Sequence, residues 1–420
     1  MLDAPAISVV IPTYNAAKFL REALDSLLAQ TFTNWEAVCV NDGSTDNSLE
    51  ILQEYAARDS RFRILDGPNG GYGKAMNRGM DAAAGKYLAI LEPDDFLPAH
   101  AYEALYSAAE EHDLDIARGA VCHFWQEKGE RVYKYEGDHF ADQVVFCPLD
   151  HPRFLRFAPN TWTGLYRLEY LRANNIRHNE TPGASYQDNG MFCISTLCAK
   201  RMMLIADVVY MYRIDNPASS IHNTVGKPYA AMEEFRYIWA ELEKRPQIWE
   251  RAKTAFCDMA TGGMLWTYAR ISEETRPAYL KRLKEEFSQL ALMGFSTLPD
   301  DRRRLVECLL EKESSDEFVR MYAEKSIPTG RKEPYTQVRC GGIVHRTISA
   351  SGTITRIAGI PVFTRRREPE YRTLAGVGNM LYRNRDTYRI LGIPVACRIY
   401  DCHSTILKAL GVTLQKNAKL

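Results

Sequence analysis

No stretch of this chain approaches the ~20 consecutive apolar residues that a membrane span requires, so a transmembrane role is not expected. The opening residues, Met-Leu-Asp-Ala-Pro, carry neither a basic segment nor an apolar one, which argues against a secretory signal. The 10 cysteines are scattered through apolar surroundings, without paired metal-ligand spacing or the density of a small disulfide frame. They read as reduced thiols, and these absences together predict a cytoplasmic protein. Two phosphate-binding signatures are also missing. The first apolar run is not followed by Gly-x-Gly-x-x-Gly, and no Gly-x-x-x-x-Gly-Lys-Ser/Thr loop occurs.

Net charge is absent too, with 53 basic and 53 acidic residues, and no nucleic-acid partner is expected. The balance hides an asymmetry. Residues 331–420 hold 16 Lys/Arg against 5 Asp/Glu, an excess of 11 that the rest of the chain offsets. Such a split suggests a separate segment with its own partner.

What is present, over 420 residues, has the composition of a globular protein of two to three domains. Ile7-Ser-Val-Val-Ile11 predicts a strand. Asn15 is placed to cap a helix from Ala16 to about Gln30, with Leu20, Leu24 and Leu27 on one face. Glu36–Val40, Arg63–Leu65 and Tyr87–Leu91 predict further strands, separated by helices carrying Leu49 and Leu52 and running from Gly73 to about Ala84. This strand–helix rhythm predicts a doubly wound, mostly parallel α/β sheet. Ligands in such sheets bind beyond the carboxyl ends of the strands. The polar stretches there are Thr13-Tyr14-Asn15, Asp42-Gly43-Ser44 and Glu92-Pro93-Asp94-Asp95.

Crowded carboxylates after a buried strand predict a cation, and oxygen-only ligands suit Mg²⁺ or Mn²⁺. The plainer alternative is a polar loop in which Asp94 or Asp95 caps a helix starting near Pro98. Asp42 can accept hydrogen bonds from a base or ribose, and Tyr14 can stack on a base. The glycines Gly70, Gly71 and Gly73 allow close backbone approach, with Lys74 at the start of the following helix, a place that favours anions.

Ser8-Val-Val-Ile-Pro-Thr-Tyr-Asn15, Val40-Asn-Asp-Gly-Ser-Thr-Asp46, Asn69-Gly-Gly71 and the acidic strand end resemble the motifs of family 2 glycosyltransferases of the GT-A fold. The resemblance implies an inverting transfer from a nucleoside diphosphate sugar, a UDP-sugar being favoured, assisted by Mn²⁺ or Mg²⁺. It places Pro12, Thr13, Tyr14, Asn15, Asp42, Gly71, Lys74, Glu92 and Asp94 at the donor, with Asp94 as the metal ligand. Two positions depart from the family pattern. Glu92 replaces the usual first Asp of the acidic motif, and Met76 stands where Ala-Arg-Asn has its arginine. Further on, Trp162-Thr-Gly-Leu-Tyr-Arg167 resembles the acceptor half of the family. The family's catalytic base opens a helix, usually within Glu-Asp, and here the pair is Gln187-Asp188, so Asp188 carries that role alone. Asp95, Trp162, Arg213 and His222 are candidates for diphosphate or acceptor contacts, a salt-bridged arginine and a surface histidine being the plainer readings of the last two.

From 226 to 328 amphipathic spacing predicts helices with packing or oligomerisation as their role. In the basic tail, Arg356-Ile-Ala-Gly-Ile-Pro-Val362 recurs as Arg389-Ile-Leu-Gly-Ile-Pro-Val395, predicting stacked strand–turn units. Stacking would line basic residues, such as Arg339 with Arg346 and Lys408 with Lys416, along one face toward an anionic membrane or lipid-linked acceptor. The expected organisation is thus a GT-A domain over 1–225 (donor half 1–120, acceptor half 121–225), a helical region over 226–328 and a basic repeat region over 329–420. The expected activity is sugar transfer to a hydroxyl of a saccharide or lipid-linked acceptor, in cell-surface polysaccharide or glycolipid synthesis. The alternatives are a nucleotidyltransferase that makes nucleotide sugars and a non-catalytic sugar-nucleotide binder.

Overall fold

A computed structural model describes residues 4–322, apart from 128–129, 137–143, 157–158, 218, 220–226, 295–297, 299 and 312–315. Beyond these it describes the end of a helix to 326 and eight strands between 336 and 417. Two compact units result, Met1–Tyr322 and Ala323–Leu420.

The first unit begins as the sequence predicts. The elements are β1 (Ile7–Thr13), α1 (Ala17–Leu28), β2 (Trp35–Asp42), α2 (Ser48–Arg58), β3 (Phe62–Gly67), α3 (Tyr72–Ala82) and β4 (Tyr87–Ile90). These four strands pair in parallel in the order β3-β2-β1-β4. Then come α4 (Ala101–Glu111), β5 (Ile116–Glu127), β6 (Glu130–Glu136), β7 (Gly164–Arg167), α5 (Leu168–Ala173), α6 (Gln187–Cys198) and β8 (Met202–Arg213). β7 inserts antiparallel between β4 and β5, and β5 also pairs antiparallel with β6 and parallel with β8. β5 and β6 form a hairpin whose last pair is Glu127 with Glu130.

Both faces of the sheet are covered, which is why β1 reads as a continuous apolar run rather than an alternation. Ile7, Val9 and Ile11 face α1, α2 and α4 in one core. Val10, Val38, Val40 and Ile90 face the other core, which contains α3 and α6. That second core continues into α7 (Ala230–Glu243), α8 (Pro246–Arg270), α9 (Arg276–Ala291), α10 (Asp300–Glu311) and α11 (Asp316–Ser326). The amphipathic helices therefore belong to the same compact unit as the sheet. Met76 lies fully buried there beside Val10 and Ile90, so a core methionine occupies the place of the family arginine.

The second unit is an antiparallel meander of β9 (Thr336–Cys340), β10 (Val344–Ser349), β11 (Gly352–Ile357), β12 (Ile360–Thr373), β13 (Met380–Ile390), β14 (Ile393–Asp401), β15 (Ser404–Ala409) and β16 (Val412–Asn417), paired in sequence order. The two repeat copies are equivalent hairpins. Ile357 pairs with Ile360 and Ile390 with Ile393, each beside a register shift at the preceding arginine. In the register, Arg339 pairs with His345, Arg346 with Val338, Lys408 with Thr413 and Lys416 with Thr405. The expected single basic face concerns side chains that lie outside the described ones.

Candidate active site

The acidic turn sits where the topology puts it, beyond the carboxyl end of β4. Pro93 follows Glu92, and the Asp95 N–H closes the turn onto the Glu92 carbonyl at 3.2 Å. Neither Asp94 nor Asp95 caps a helix: α4 starts at Ala101 with His100 at its N-cap. The carboxylates have separate tasks. Glu92 accepts a hydrogen bond from the Tyr72 hydroxyl at 2.7 Å, and its own N–H donates to the Tyr210 hydroxyl at 3.0 Å. Asp94 Oδ2 accepts from Asn216 Nδ2 at 2.8 Å. Asp95 is buried behind the turn, where Oδ1 accepts the Arg213 N–H at 2.7 Å. Arg213 also backs the turn, with Nε donating to the Asp94 carbonyl at 2.8 Å and Nη2 to Glu22 at 2.5 Å. Its guanidinium lies over the rings of Phe19 (4.2 Å) and Phe124 (4.6 Å). Asp95 and Arg213 thus brace the turn from within.

The residues expected at the donor group around the ends of β1 and β2. Pro12 and Thr13 are buried and Tyr14 is half exposed. Asn15 does not cap α1. Its φ is 48° and its Oδ1 accepts the Thr45 N–H at 2.7 Å, while Asp46 and Ser48 take the N–H groups of Ala17 and Ala16. Asp42 reaches forward to the glycine loop, accepting the N–H groups of Gly70 (2.8 Å) and Gly71 (2.9 Å). Gly71 has φ 89°, where a side chain is strained, and the Tyr72 N–H donates to the Gly183 carbonyl at 3.1 Å. That first N–H of α3 is therefore taken up by the chain, and Lys74 is exposed beside it.

A seam joins the two halves of the unit along residues 177–183. Asn77 on α3 holds the His178 backbone in both directions, donating to its carbonyl at 2.9 Å and accepting its N–H at 3.0 Å. Gly73 is needed for this approach, since a Cβ there would lie 1.9 Å from the Asn179 carbonyl oxygen. The seam leads to α6. Gln187 Nε2 donates to Thr181 Oγ1 at 2.9 Å, and Tyr186 takes a left-handed conformation with φ 66°. Tyr186 is held there by Thr267 of α8, hydroxyl to hydroxyl at 2.9 Å. Backbone strain of this kind persists where surrounding contacts over-determine it, and here it sets the side chain two residues on, Asp188.

Asp188 is partly buried, and that burial pushes its carboxyl up to about 6. Burial also raises Glu92, to about 8, reinforced by the negative charge of Asp94 and Asp188 and opposed by the Tyr72 hydrogen bond. The acidic turn and the start of α6 therefore face one another closely enough to share a field. Behind Asp188 lies Glu234 of α7, raised to about 8 by burial and by the Asp188 charge. Glu234, Tyr72, Asn77, Tyr210 and Asn216 were not flagged by the sequence reading. Glu234 could have been: it sits in the buried stripe Ala231, Phe235, Ile238 and Leu242, at helical spacing, where an acid is out of place.

Trp162 stacks on Tyr212 (5.1 Å, 12°) and lies 4.4 Å from Tyr210, beneath the acidic turn. His222 lies outside the described residues. A cavity of about 340 Å³ lined by Lys86, Arg167, Glu169 and Arg172 opens by the N-terminal end of β4, away from the acids. Its basic groups already hold Glu110, Asp113 and the Ala83 carbonyl.

Among the described residues, no three His, Cys, Asp or Glu side chains converge as a self-sufficient metal cage. Mn²⁺ or Mg²⁺ shared with substrate phosphates needs only one or two protein carboxylates. Asp94, oriented by Asn216, and the neighbouring Glu92, raised by burial and by like charge, fit that requirement.

Comparison with known proteins bears on the fold and the family. The family model described as Glycosyl transferase family 2 matches residues 8–189. EpsJ of Bacillus subtilis (strain 168), an uncharacterized glycosyltransferase, is 33% identical over 258 residues, which cover 60% of this chain and 70% of that protein. YibD of Escherichia coli (strain K12), also an uncharacterized glycosyltransferase, is 33% identical over 243 residues, 57% of this chain and 70% of that one. Among solved structures, S. aureus TarS 1-349 in complex with UDP-GlcNAc superposes with a TM-score of 0.61 at 20% identity, covering 83% of this chain and 98% of that one. An α/β sheet of the GT-A type, with an acidic turn at its carboxyl edge, defines the class. The chain belongs to glycosyltransferase family 2, and it is a glycosyltransferase.

Proposed function

We propose that this glycosyltransferase moves a sugar, with inversion, from a UDP-sugar to a hydroxyl of a saccharide or lipid-linked acceptor. What carries the reading is the partly buried Asp188, raised by its own burial, whose charge in turn helps to raise Glu92 of the acidic turn from the opposite half of the unit. Asp188 takes the proton of the acceptor hydroxyl as that oxygen attacks the anomeric carbon, while the bond from that carbon to the diphosphate oxygen breaks. A carboxyl raised to about 6 is a stronger base than an ordinary aspartate and is still ionised at neutral pH. Asp94 would hold Mn²⁺ or Mg²⁺, which neutralises the departing diphosphate when bound. Thr13, Tyr14 and the Asp42-braced glycine loop line the nucleoside side. UDP-GlcNAc, the ligand of the TarS complex, is the first donor to try. Calorimetry tests the donor assignment: Mn²⁺-dependent binding of UDP-GlcNAc that Asp94→Ala abolishes is expected. Binding that is indifferent to both metal and Asp94 would sink it.

Residues 331–420 are assigned to peripheral contact with an anionic membrane or lipid-linked acceptor, on the strength of their positive excess. Among the described residues no helix is long and apolar enough to cross a membrane. Flotation with anionic vesicles decides the point. Deleting 331–420 is expected to abolish binding, and undiminished binding would refute the assignment.

A further inference from the structure

We infer that Glu234 is a positioning residue for Asp188, reaching across from α7 to fix the first turn of α6 and fasten it to the 177–183 seam. The inference rests on Asp188 being the base. Its grounds are geometric. Tyr186, at the N-cap of α6, makes no side-chain cap, so the first turn lacks the usual local acceptor. Asp188 Oδ1 takes the Asn189 N–H at 3.0 Å, and the next N–H, that of Gly190, donates to Glu234 Oε1 at 3.1 Å. The other oxygen of the same carboxylate accepts from Asn179 Nδ2 at 2.9 Å. One side chain from outside the family-matched region thus ties together the helix that carries the base and the segment that packs on α3.

Two further observations separate this arrangement from incidental packing. Glu234 is 1% exposed within an otherwise apolar stripe, a placement that costs desolvation unless the carboxylate has specific donors. Gly190 supplies the notch for it: a Cβ at that position would lie 2.4 Å from Glu234 Oε1. An acid on one helix and a glycine on another fit each other at the turn bearing Asp188.

The test uses the full chain with UDP-GlcNAc and Mn²⁺, following UDP release to water, together with amide exchange at Gly190. Glu234→Ala is expected to expose the Gly190 amide and to lower kcat by roughly 10–100-fold, the scale of a small misplacement of a reacting group. KM for UDP-GlcNAc is expected to stay within about twofold, because the donor contacts lie on β1, β2 and the acidic turn. Glu234→Gln, whose amide oxygen can still accept the Gly190 N–H, is expected to restore most of the rate. Gly190→Ala, which evicts the carboxylate while adding a good helix former, is expected to reproduce the kcat loss even if Glu234→Ala fails to fold. An unchanged Gly190 exchange rate, or kcat held within about threefold in Glu234→Ala, overturns the inference. So does a joint loss of kcat and donor affinity that Glu234→Gln does not repair, since that marks general destabilisation. Asp188→Asn is run alongside. If it is inactive while Glu234→Ala is not, the base stands and positioning falls; if it turns over at the normal rate, the base falls, and positioning with it.

Discussion

Asp42 shows how one side chain can serve a site without being spent only on ligand. Its two oxygens hold the Gly70 and Gly71 N–H groups, so the loop before α3 has its shape before any donor arrives. Hydrogen bonds to a charged group are worth about 1.5–3 kcal/mol each. Asp42→Ala is therefore expected to lower stability by a few kcal/mol and to weaken UDP-GlcNAc binding, read by denaturant unfolding and calorimetry respectively. Loss of binding without loss of stability would mean that the loop is held by something else. Asp188 makes a different residue-scale demand. With its carboxyl raised to about 6, the base form fills as pH rises, so UDP release is expected to climb through an apparent pKa near 6 and then level. A rate flat from pH 5 to 8 would remove Asp188 from the role.

The elements show which parts of the site the sequence could express. β1, β2 and β4 are short, doubly buried and ended by polar residues, so apolar runs and their polar stops located the strand ends and the acidic turn together. Arg213 keeps the plainer reading of a salt-bridged arginine, paired with Glu22, but its bracing of the turn together with Asp95 was not legible, because that requires β8 to come beside the turn from 118 positions away. Asn15 was misread for a related reason: the acceptors that serve α1 come from the loop before α2, and local cap chemistry cannot see a neighbouring loop. The seam at 177–183 was invisible, since Asn77 and Gly73 find their partners only after the halves close. Gly73→Ala tests the seam as a unit. Alanine gains at most about 1 kcal/mol of helix propensity, whereas overpacking costs about 1–3 kcal/mol or more, and here the obstacle is a backbone carbonyl. A lower melting temperature is expected, together with loss of UDP release. A rise in melting temperature would show that the 177–183 segment yields freely.

For the whole molecule, the four raised carboxyls make a prediction about pH. Glu92 and Glu234, near 8, Asp188, near 6, and Asp95, raised by burial, bind protons more tightly folded than unfolded. Above about pH 5 the lowered carboxylates are ionised in both states and these raised groups outweigh His178, which burial keeps neutral in the fold, so the native state carries more protons than the unfolded chain up to about pH 8 and stability falls as pH rises through that window. The melting temperature is expected to drop from pH 5 to pH 8, and Mn²⁺ with UDP-GlcNAc is expected to flatten the drop by favouring the charged forms. A melting temperature that rises across that window would contradict the shared acidic field. The basic meander is a separate compact unit.

Asp188 as the base and the donor contacts on β1, β2 and the acidic turn are separable, and Asp188→Asn separates them. UDP release from UDP-GlcNAc should fall about 10²–10⁴-fold while calorimetry shows Mn²⁺-dependent donor binding intact. Near-normal turnover with intact binding would contradict Asp188 as the base.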